Sequence, residues 1–190
     1  MQLKRLFSTT SVKNTYGYID TQKRYEIIRT ILYYGISASL YIAGYITTKS
    51  NKNALTIVAM LGCLPATKSL IGMIMFLRYK SCAEDVYKQI SDVTKDFSYQ
   101  LYDLVFTTEK INYVCSHGAF INNKFVFYTD QTIDKDAFTS HIKTYLKRAE
   151  LKSVDIHIYT DLKTYLNVIS NAEECTDASK YIQLLKEITL

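Results

Sequence analysis

Four side chains in the C-terminal half are of types that bind transition metals. Cys115 lies in one predicted strand, which includes His117 two residues further on if the strand continues, and Asp155 and His157 lie two residues apart in another. Side chains alternate between the faces of a strand, so each pair should share a face if its strand is regular. If the two strands are neighbours, the four residues form a candidate metal site. Their spacing matches no ligand motif, so the alternative is packing of Cys115 and a turn at His117.

No other pattern specifies catalysis. A nucleophile made of Cys115 and His117 would need a lowered thiol pKa and a third group that orients the histidine, and nothing in the sequence indicates either. The six glycines are scattered singly, so no phosphate-binding loop is present. The sequence therefore favours a non-enzymatic protein and predicts no cofactor.

Lys68 lies within an apolar run, three residues after Pro65. A charge within hydrocarbon is costly and is often functional, so Lys68 is an intramembrane candidate that could handle a proton or a ligand. Pro65 removes a backbone donor and should kink the helix. The alternatives are that Lys68 extends to the headgroups, that it hydrogen-bonds carbonyl groups freed by Pro65, or that the helix breaks and residues 69–79 lie at the interface.

Two long apolar runs position these residues, at about 30–48 and 54–77, and we interpret residues 27–79 as a transmembrane helical hairpin. Each run approaches or exceeds the roughly 20 residues that span a bilayer. Small residues on a helix face allow close approach of helices in lipid, and the predicted packing residues are Gly35, Ser39, Ala43, Gly62 and Ala66. A buried helix of a soluble protein is the alternative for each run.

The charge distribution predicts the orientation. Residues 1–53 carry a net charge of +6, residues 54–80 carry +3, and residues 81–190 carry −4. Basic residues flank the outer ends of the two runs, whereas the connecting loop has only Lys49 and Lys52, so both termini should be cytoplasmic in a multi-pass protein of the cell membrane. Residues 1–26 are predicted to be a basic cytoplasmic arm that includes the start of the first helix, although a transit peptide has a similar composition.

Residues 80–190 form a predicted small α+β cytoplasmic domain of order α-β-β-β-α-β-α. Its net negative charge does not suggest nucleic-acid binding. The predicted elements are a helix at 82–101, strands at 102–107, 111–116, 119–121, 124–128 and 153–160, and helices at 135–151, 162–169 and after Asp177. Asp134, Asp161 and Asp177 should cap the helices that follow them. The scattered cysteines fit reduced thiols in the cytoplasm.

The element order over about Glu84 to Tyr159 resembles the core of restriction-endonuclease-like domains. That resemblance implies a metal held by an Asp on one strand and an acid-x-Lys on the next. Here Asn122 stands where the acid would precede Lys124, Asp103 is the only strand carboxylate suited to the role, and Glu109-Lys110 lacks the spacer. The resemblance therefore implies a fold without its catalytic residues.

The sequence around Leu64-Pro65-Ala66-Thr67-Lys68, with the hairpin and the domain that follows, also resembles uncharacterised small two-helix membrane proteins of low-GC Gram-positive bacteria. That resemblance implies a location and no activity. We therefore expect an integral membrane protein in contact with the lipid bilayer, whose cytoplasmic domain mediates protein interaction or self-association in a homo-oligomer. The alternatives are a membrane-bound sensor or effector with a ligand-responsive domain, and a membrane-tethered nuclease-like or metal-dependent enzyme.

Overall fold

The computed structural model describes residues 13–50, 52–95, 97–108, 111–172 and 178–190. The chain divides into two compact units. The helical unit contains Ile19–Lys80, and the α/β unit contains Ser81–Leu190 together with residues 13–18. Residues 13–18 of the predicted basic arm thus pack with the α/β unit, and residues 1–12 of that arm lie outside the described part.

The helical unit consists of α1 (Tyr18–Thr48) and α2 (Ala54–Leu77). At about 1.5 Å per residue these helices are about 46 and 36 Å long. The sequence predicts a cap at Asp20 or Thr21 for this first helix, but α1 begins before both residues. α2 begins at an Asn53 cap, whose side-chain oxygen accepts a hydrogen bond from the Thr56 amide at 2.8 Å. Both helices are long and apolar enough to cross a membrane by length and composition.

The α/β unit contains a mixed four-stranded sheet of order β1-β2-β3-β4. Its elements are α3 (Glu84–Val93), β1 (Gln100–Thr107), β2 (Asn112–Ile121), β3 (Lys124–Tyr128), α4 (Lys135–Arg148), β4 (Asp155–Tyr159), α5 (Leu162–Ser170) and α6 (Ser179–Ile188). The first three strands are antiparallel, and α4 provides the crossover to β4, which runs parallel to β3. The predicted order is confirmed, and α6 follows α5; its predicted cap, Asp177, lies outside the described residues.

Local sequence signals position several of these boundaries. Asn122 and Asn123 both have positive φ, +49° and +59°, as a two-residue type I′ hairpin turn requires. The two strand segments predicted at 111–116 and 119–121 are one continuous strand, β2. The carboxylates of Asp134 and Asp161 cap α4 and α5 by accepting backbone hydrogen bonds, as predicted.

The helix predicted at 82–101 is shorter than expected. α3 ends at Val93, where the Thr94 hydroxyl donates a hydrogen bond to the Ile90 carbonyl at 2.9 Å. Leu101 then lies in β1, paired with Gly118 of β2. The apolar residues at 97 and 101 continue the helical period by sequence only, because Phe97 follows the end of α3 in a turn and Leu101 is paired in the sheet.

The sheet separates two apolar clusters. One face packs against α4 and α6, with Phe106, Phe127, Phe138 and Leu185 fully buried. The other face packs against α3 and α5 through residues that include Ile90 and Tyr165. The α/β unit is therefore a three-layer arrangement with the sheet in the middle.

Candidate functional site

The contact between α1 and α2 is formed mainly by polar and small residues, with Phe76 as the one large apolar residue among the buried residues of α2. The buried residues of α1 between Thr30 and its end are Thr30, Ser37 and Gly44, and those of α2 are Thr56, Ala59, Ala66, Ser69 and Phe76. Two contacts fix the antiparallel alignment. The hydroxyl oxygens of Thr30 and Ser69 are 2.9 Å apart, and a Cβ placed on Gly62 would come within 2.6 Å of the Ser37 hydroxyl.

The large apolar residues of the same two helices lie on the outside. Ile31, Ile46, Met60 and Leu64 are each more than 60% exposed, and many other aliphatic residues of α1 and α2 share this exposure. A water-soluble helix pair would bury these side chains, since burial of apolar surface drives folding in water. The helical unit has the opposite arrangement, which suits an apolar surrounding.

A buried polar cluster joins the two helices one turn before the apolar part of α1. The Arg29 guanidinium forms an ion pair with the Glu26 carboxylate, and Arg29 Nε donates a hydrogen bond to the Ser69 hydroxyl at 3.3 Å. Gln22 donates to Glu26 Oε1 at 2.9 Å. Gly72 allows this approach, because a Cβ there would come within 3.3 Å of the Glu26 carboxylate. No role for Glu26 was predicted from the sequence, so this cluster was missed. The signal was the recurrence of polar residues at 22, 26 and 30.

The predicted packing residues divide by helix. Ala66 is fully buried and Gly62 is close to Ser37. Gly35, Ser39 and Ala43 of α1 are exposed instead, and nothing lies within 4 Å of a Cβ built on Gly35. The face of α1 that is turned towards α2 contains Thr30, Ser37 and Gly44, so a packing role for Gly35, Ser39 and Ala43 stays a prediction.

Lys68 and Pro65 are both exposed on α2. The helix continues through Pro65 to Leu77, so the alternative in which it breaks there does not hold. Among the described residues no carboxylate forms an ion pair with Lys68. These two residues therefore form no site with a partner side chain within the described helical unit.

The metal candidates of the α/β unit are not brought together. β3 lies between β2, which carries Cys115 and His117, and β4, which carries Asp155 and His157. The described residues include no group of three or more His, Cys, Asp or Glu side chains that could hold a metal ion. Asp155 is exposed and its carboxylate is 3.9 Å from Lys124 Nζ, and His157 is exposed beside it.

Cys115 and His117 also lie on opposite faces of the sheet, so the prediction of a shared face was wrong. Cys115 belongs to the cluster under α4 and α6, whereas His117 contacts Tyr165 on the other side. The alternation reverses between them, opposite Asp103 of β1, whose φ is +53°. Burial raises the pKa of the Cys115 thiol, so this group is not a ready nucleophile.

His117 is fully buried within a satisfied hydrogen-bond network. Gln100 donates from Nε2 to the Thr94 and Phe97 carbonyls, which directs its oxygen towards His117 Nε2 at 3.1 Å. His117 therefore donates from Nε2, and its Nδ1 accepts from the Tyr165 hydroxyl at 2.6 Å. Burial lowers the pKa of His117 to about 3, so the ring is neutral at physiological pH.

The nuclease-like residues are likewise apart. Asp103 lies on β1 and Lys124 on β3, with β2 between them. The Asp103 carboxylate accepts a hydrogen bond from the Cys82 amide at 2.7 Å, which gives it a structural role. Glu109 and Lys110 lie outside the described residues. Compared with known protein families, curated proteins and solved structures, the chain shows no significant match.

Proposed function

We propose that the chain is an integral membrane protein whose α1 and α2 form a transmembrane hairpin and whose α/β unit acts in the cytoplasm as a non-enzymatic interaction module. One observation carries the proposal: small and polar residues fill the contact between the helices, while large aliphatic residues cover the outside. Lipid-exposed helix pairs have this arrangement because apolar side chains gain nothing by leaving hydrocarbon.

The orientation is supported by the basic residues near the helix ends. Lys23 and Arg24 lie in the first turns of α1, and Arg78 and Lys80 follow α2. The loop between the helices has fewer basic residues and is short. The positive-inside rule therefore favours a cytoplasmic α/β unit.

The non-enzymatic part of the proposal is supported by the state of the reactive side chains. The Cys115 thiol and the His117 ring are fully buried, and burial shifts the pKa of each towards its neutral form. A catalytic base needs a pKa near the working pH and access to substrate. Both groups instead serve the packing and hydrogen bonding of the sheet.

The test is cysteine labelling in intact cells and in inverted vesicles. The background replaces Cys63, Cys82 and Cys115 by serine or alanine, and one cysteine is then kept at position 175 or introduced by Ser50→Cys. A membrane-impermeant maleimide should label position 50 only from outside and Cys175 only from inside. Release of the protein from membranes by alkaline carbonate, or labelling of Cys175 from outside, would refute the topology.

Self-association is tested on the same membranes. A short amine-reactive cross-linker should produce a discrete dimer or a discrete complex with another cytoplasmic protein, and the same product should form when the membranes are first fused with excess lipid to dilute the protein. A monomer that forms neither product at any cross-linker concentration would argue against an interaction module.

A further inference from the structure

A groove of about 890 Å³ lies in the α/β unit between α4 and the adjoining ends of β1 and β2. Cavities of a few hundred to about 1,000 Å³ are the usual size for small-molecule sites. His141, Tyr145 and Arg148 line one side along α4, and Thr107, Ile111 and Tyr113 line the other. None of the candidate site residues discussed above lines this groove.

Three residues of α4 form a continuous row along the groove. Their spacing of four and three residues places them on one face of the helix. The rings of His141 and Tyr145 have centroids 5.0 Å apart, and Arg148 Cζ is 5.4 Å from the centroid of the Tyr145 ring. The guanidinium is thus held over an aromatic ring while its N–H fork remains accessible.

Among the residues that the structure describes, the cation in this row has no carboxylate counter-ion. Arg148 is exposed, and no carboxylate within the described part of the chain forms an ion pair with it. A planar guanidinium binds a carboxylate or a phosphate by two parallel hydrogen bonds. The partial negative charge at the C-terminal end of α4 does not attract an anion, so recognition would depend on the guanidinium itself.

The first residue of the row, His141, carries an unsatisfied polar atom. His141 Nε2 is shielded from solvent and has no hydrogen-bond partner among the residues that the structure describes. Buried polar atoms are nearly always hydrogen-bonded in folded proteins. Because this ring nitrogen is enclosed, the polar contact that the groove offers a ligand is the Arg148 guanidinium.

The groove has side chains of opposite charge at its two ends, which should orient a charged ligand. Asp134 lies at the start of α4, where its carboxylate already accepts the amides of Asp136 and Ala137. Arg148 lies 14 residues further along, about 21 Å at the rise of an α-helix. The acidic group of a ligand should therefore lie near Arg148, away from Asp134.

We propose that this groove binds a small aromatic organic anion, with its acidic group on the Arg148 guanidinium and its ring against Tyr145 and Ile111. The aromatic preference follows from the Tyr145 and Tyr113 rings on opposite sides of the groove, since ring–ring contacts favour flat ligands. The inference concerns the α/β unit and does not depend on the membrane topology proposed above.

The test uses the full chain in detergent micelles and three probes of similar size: benzoate, phenyl phosphate and benzylammonium. Ligand-observed saturation-transfer NMR and calorimetry measure binding. We expect one or both anions to bind and the cation not to bind. The affinities of benzoate and phenyl phosphate, compared with each other, then identify the preferred acidic group.

The decisive variants are Arg148→Gln and Lys147→Gln, which remove the same charge from adjacent positions of α4. Lys147 does not line this groove. Arg148→Gln should weaken binding about tenfold or more, because the paired hydrogen bonds are lost, while Lys147→Gln should change it by less than about twofold. Tyr145→Leu should also weaken binding, and near-UV circular dichroism checks that each variant is folded.

Three outcomes would overturn the inference. Equal weakening by the two charge variants would mean that only general electrostatic attraction acts. Unchanged binding in Arg148→Gln would place the site elsewhere. Absence of binding by both anions, or equal binding of benzylammonium, would show that the groove does not select aromatic anions.

Discussion

The buried His117 should make the α/β unit sensitive to acid, and substitution by glutamine should remove that sensitivity. The His117 ring accepts a hydrogen bond from Tyr165 at Nδ1 and donates one to Gln100 from Nε2. Protonation of Nδ1 would make both ring nitrogens donors, so the Tyr165 hydroxyl would lose its acceptor. A glutamine at 117 also carries one acceptor and one donor, and it does not titrate.

The magnitude follows from the pKa of His117, which burial lowers from 6.5 to about 3. Because the folded pKa lies below the unfolded one, the unfolded state binds the proton first as the pH falls. The stability that depends on neutral His117 is complete above about pH 6.5 and is lost progressively towards pH 3. The slope of about 1.4 kcal/mol per pH unit gives a loss of about 3 kcal/mol at about pH 4.5.

The assay is urea denaturation of the full chain in detergent, followed by the near-UV circular dichroism of its tyrosines, at about pH 7.5 and about pH 4.5. Carboxylates titrate in both proteins, so the difference between wild type and His117→Gln isolates the histidine. We expect wild type to lose about 3 kcal/mol more than the variant over this range. Equal losses would refute the assignment of a buried, neutral His117.

Four further predictions follow from contacts of single residues. Tyr165→Phe should lower the free energy of unfolding by about 1–3 kcal/mol in the same assay, because His117 Nδ1 loses its donor; no loss would mean that water replaces the hydroxyl. Gly62→Leu should lower hairpin stability by about 1–3 kcal/mol in an SDS titration of mixed micelles, whereas Gly35→Leu should have an effect below about 0.5 kcal/mol; similar losses would contradict the observed helix face. Asn123→Val should cost about 1–2 kcal/mol in urea because a β-branched residue is strained at positive φ, and Asn123→Gly should not. Glu26→Ala should lower hairpin stability by up to about 3 kcal/mol, since the half-buried Arg29 loses its counter-ion; a neutral effect in the SDS titration would show that the pair is solvated.

Local signals in the sequence predicted much of the α/β unit. Two adjacent asparagines between alternating apolar residues specified the hairpin turn at Asn122 and Asn123, and an aspartate before each amphipathic run specified the starts of α4 and α5. These signals succeed because the responsible interaction lies within a few residues of the chain. The prediction of where α3 ends was wrong for the converse reason, since the pairing of β1 with β2 is a long-range interaction.

The positions of the candidate site residues also depend on long-range contacts that the sequence does not reveal. Strict alternation predicted that Cys115 and His117 share a face, but Asp103 on the neighbouring strand has a positive φ and the alternation reverses at that level in both strands. An aspartate tolerates a positive φ better than most residues do. The presence of an aspartate in β1 is nevertheless not enough to predict that conformation from the sequence. Likewise, several periodic faces are available on α1, and only contact with α2 shows that the face with Ser37 is used.

The alignment of α1 with α2 also changes the interpretation of Lys68 as an intramembrane charge. The sequence alone places this residue well inside the second apolar run, as an unpaired charge in hydrocarbon. In the structure its neighbour Ser69 contacts Thr30 and Arg29, so Lys68 lies level with the point where the apolar part of α1 begins. On the proposed topology the apolar layer would then extend from this level to the loop, over 19 residues of α1, or about 28 Å. Lys68 would face the cytoplasmic headgroups, its charge would need no protein partner, and the last turns of α2 would lie beside the basic first turns of α1.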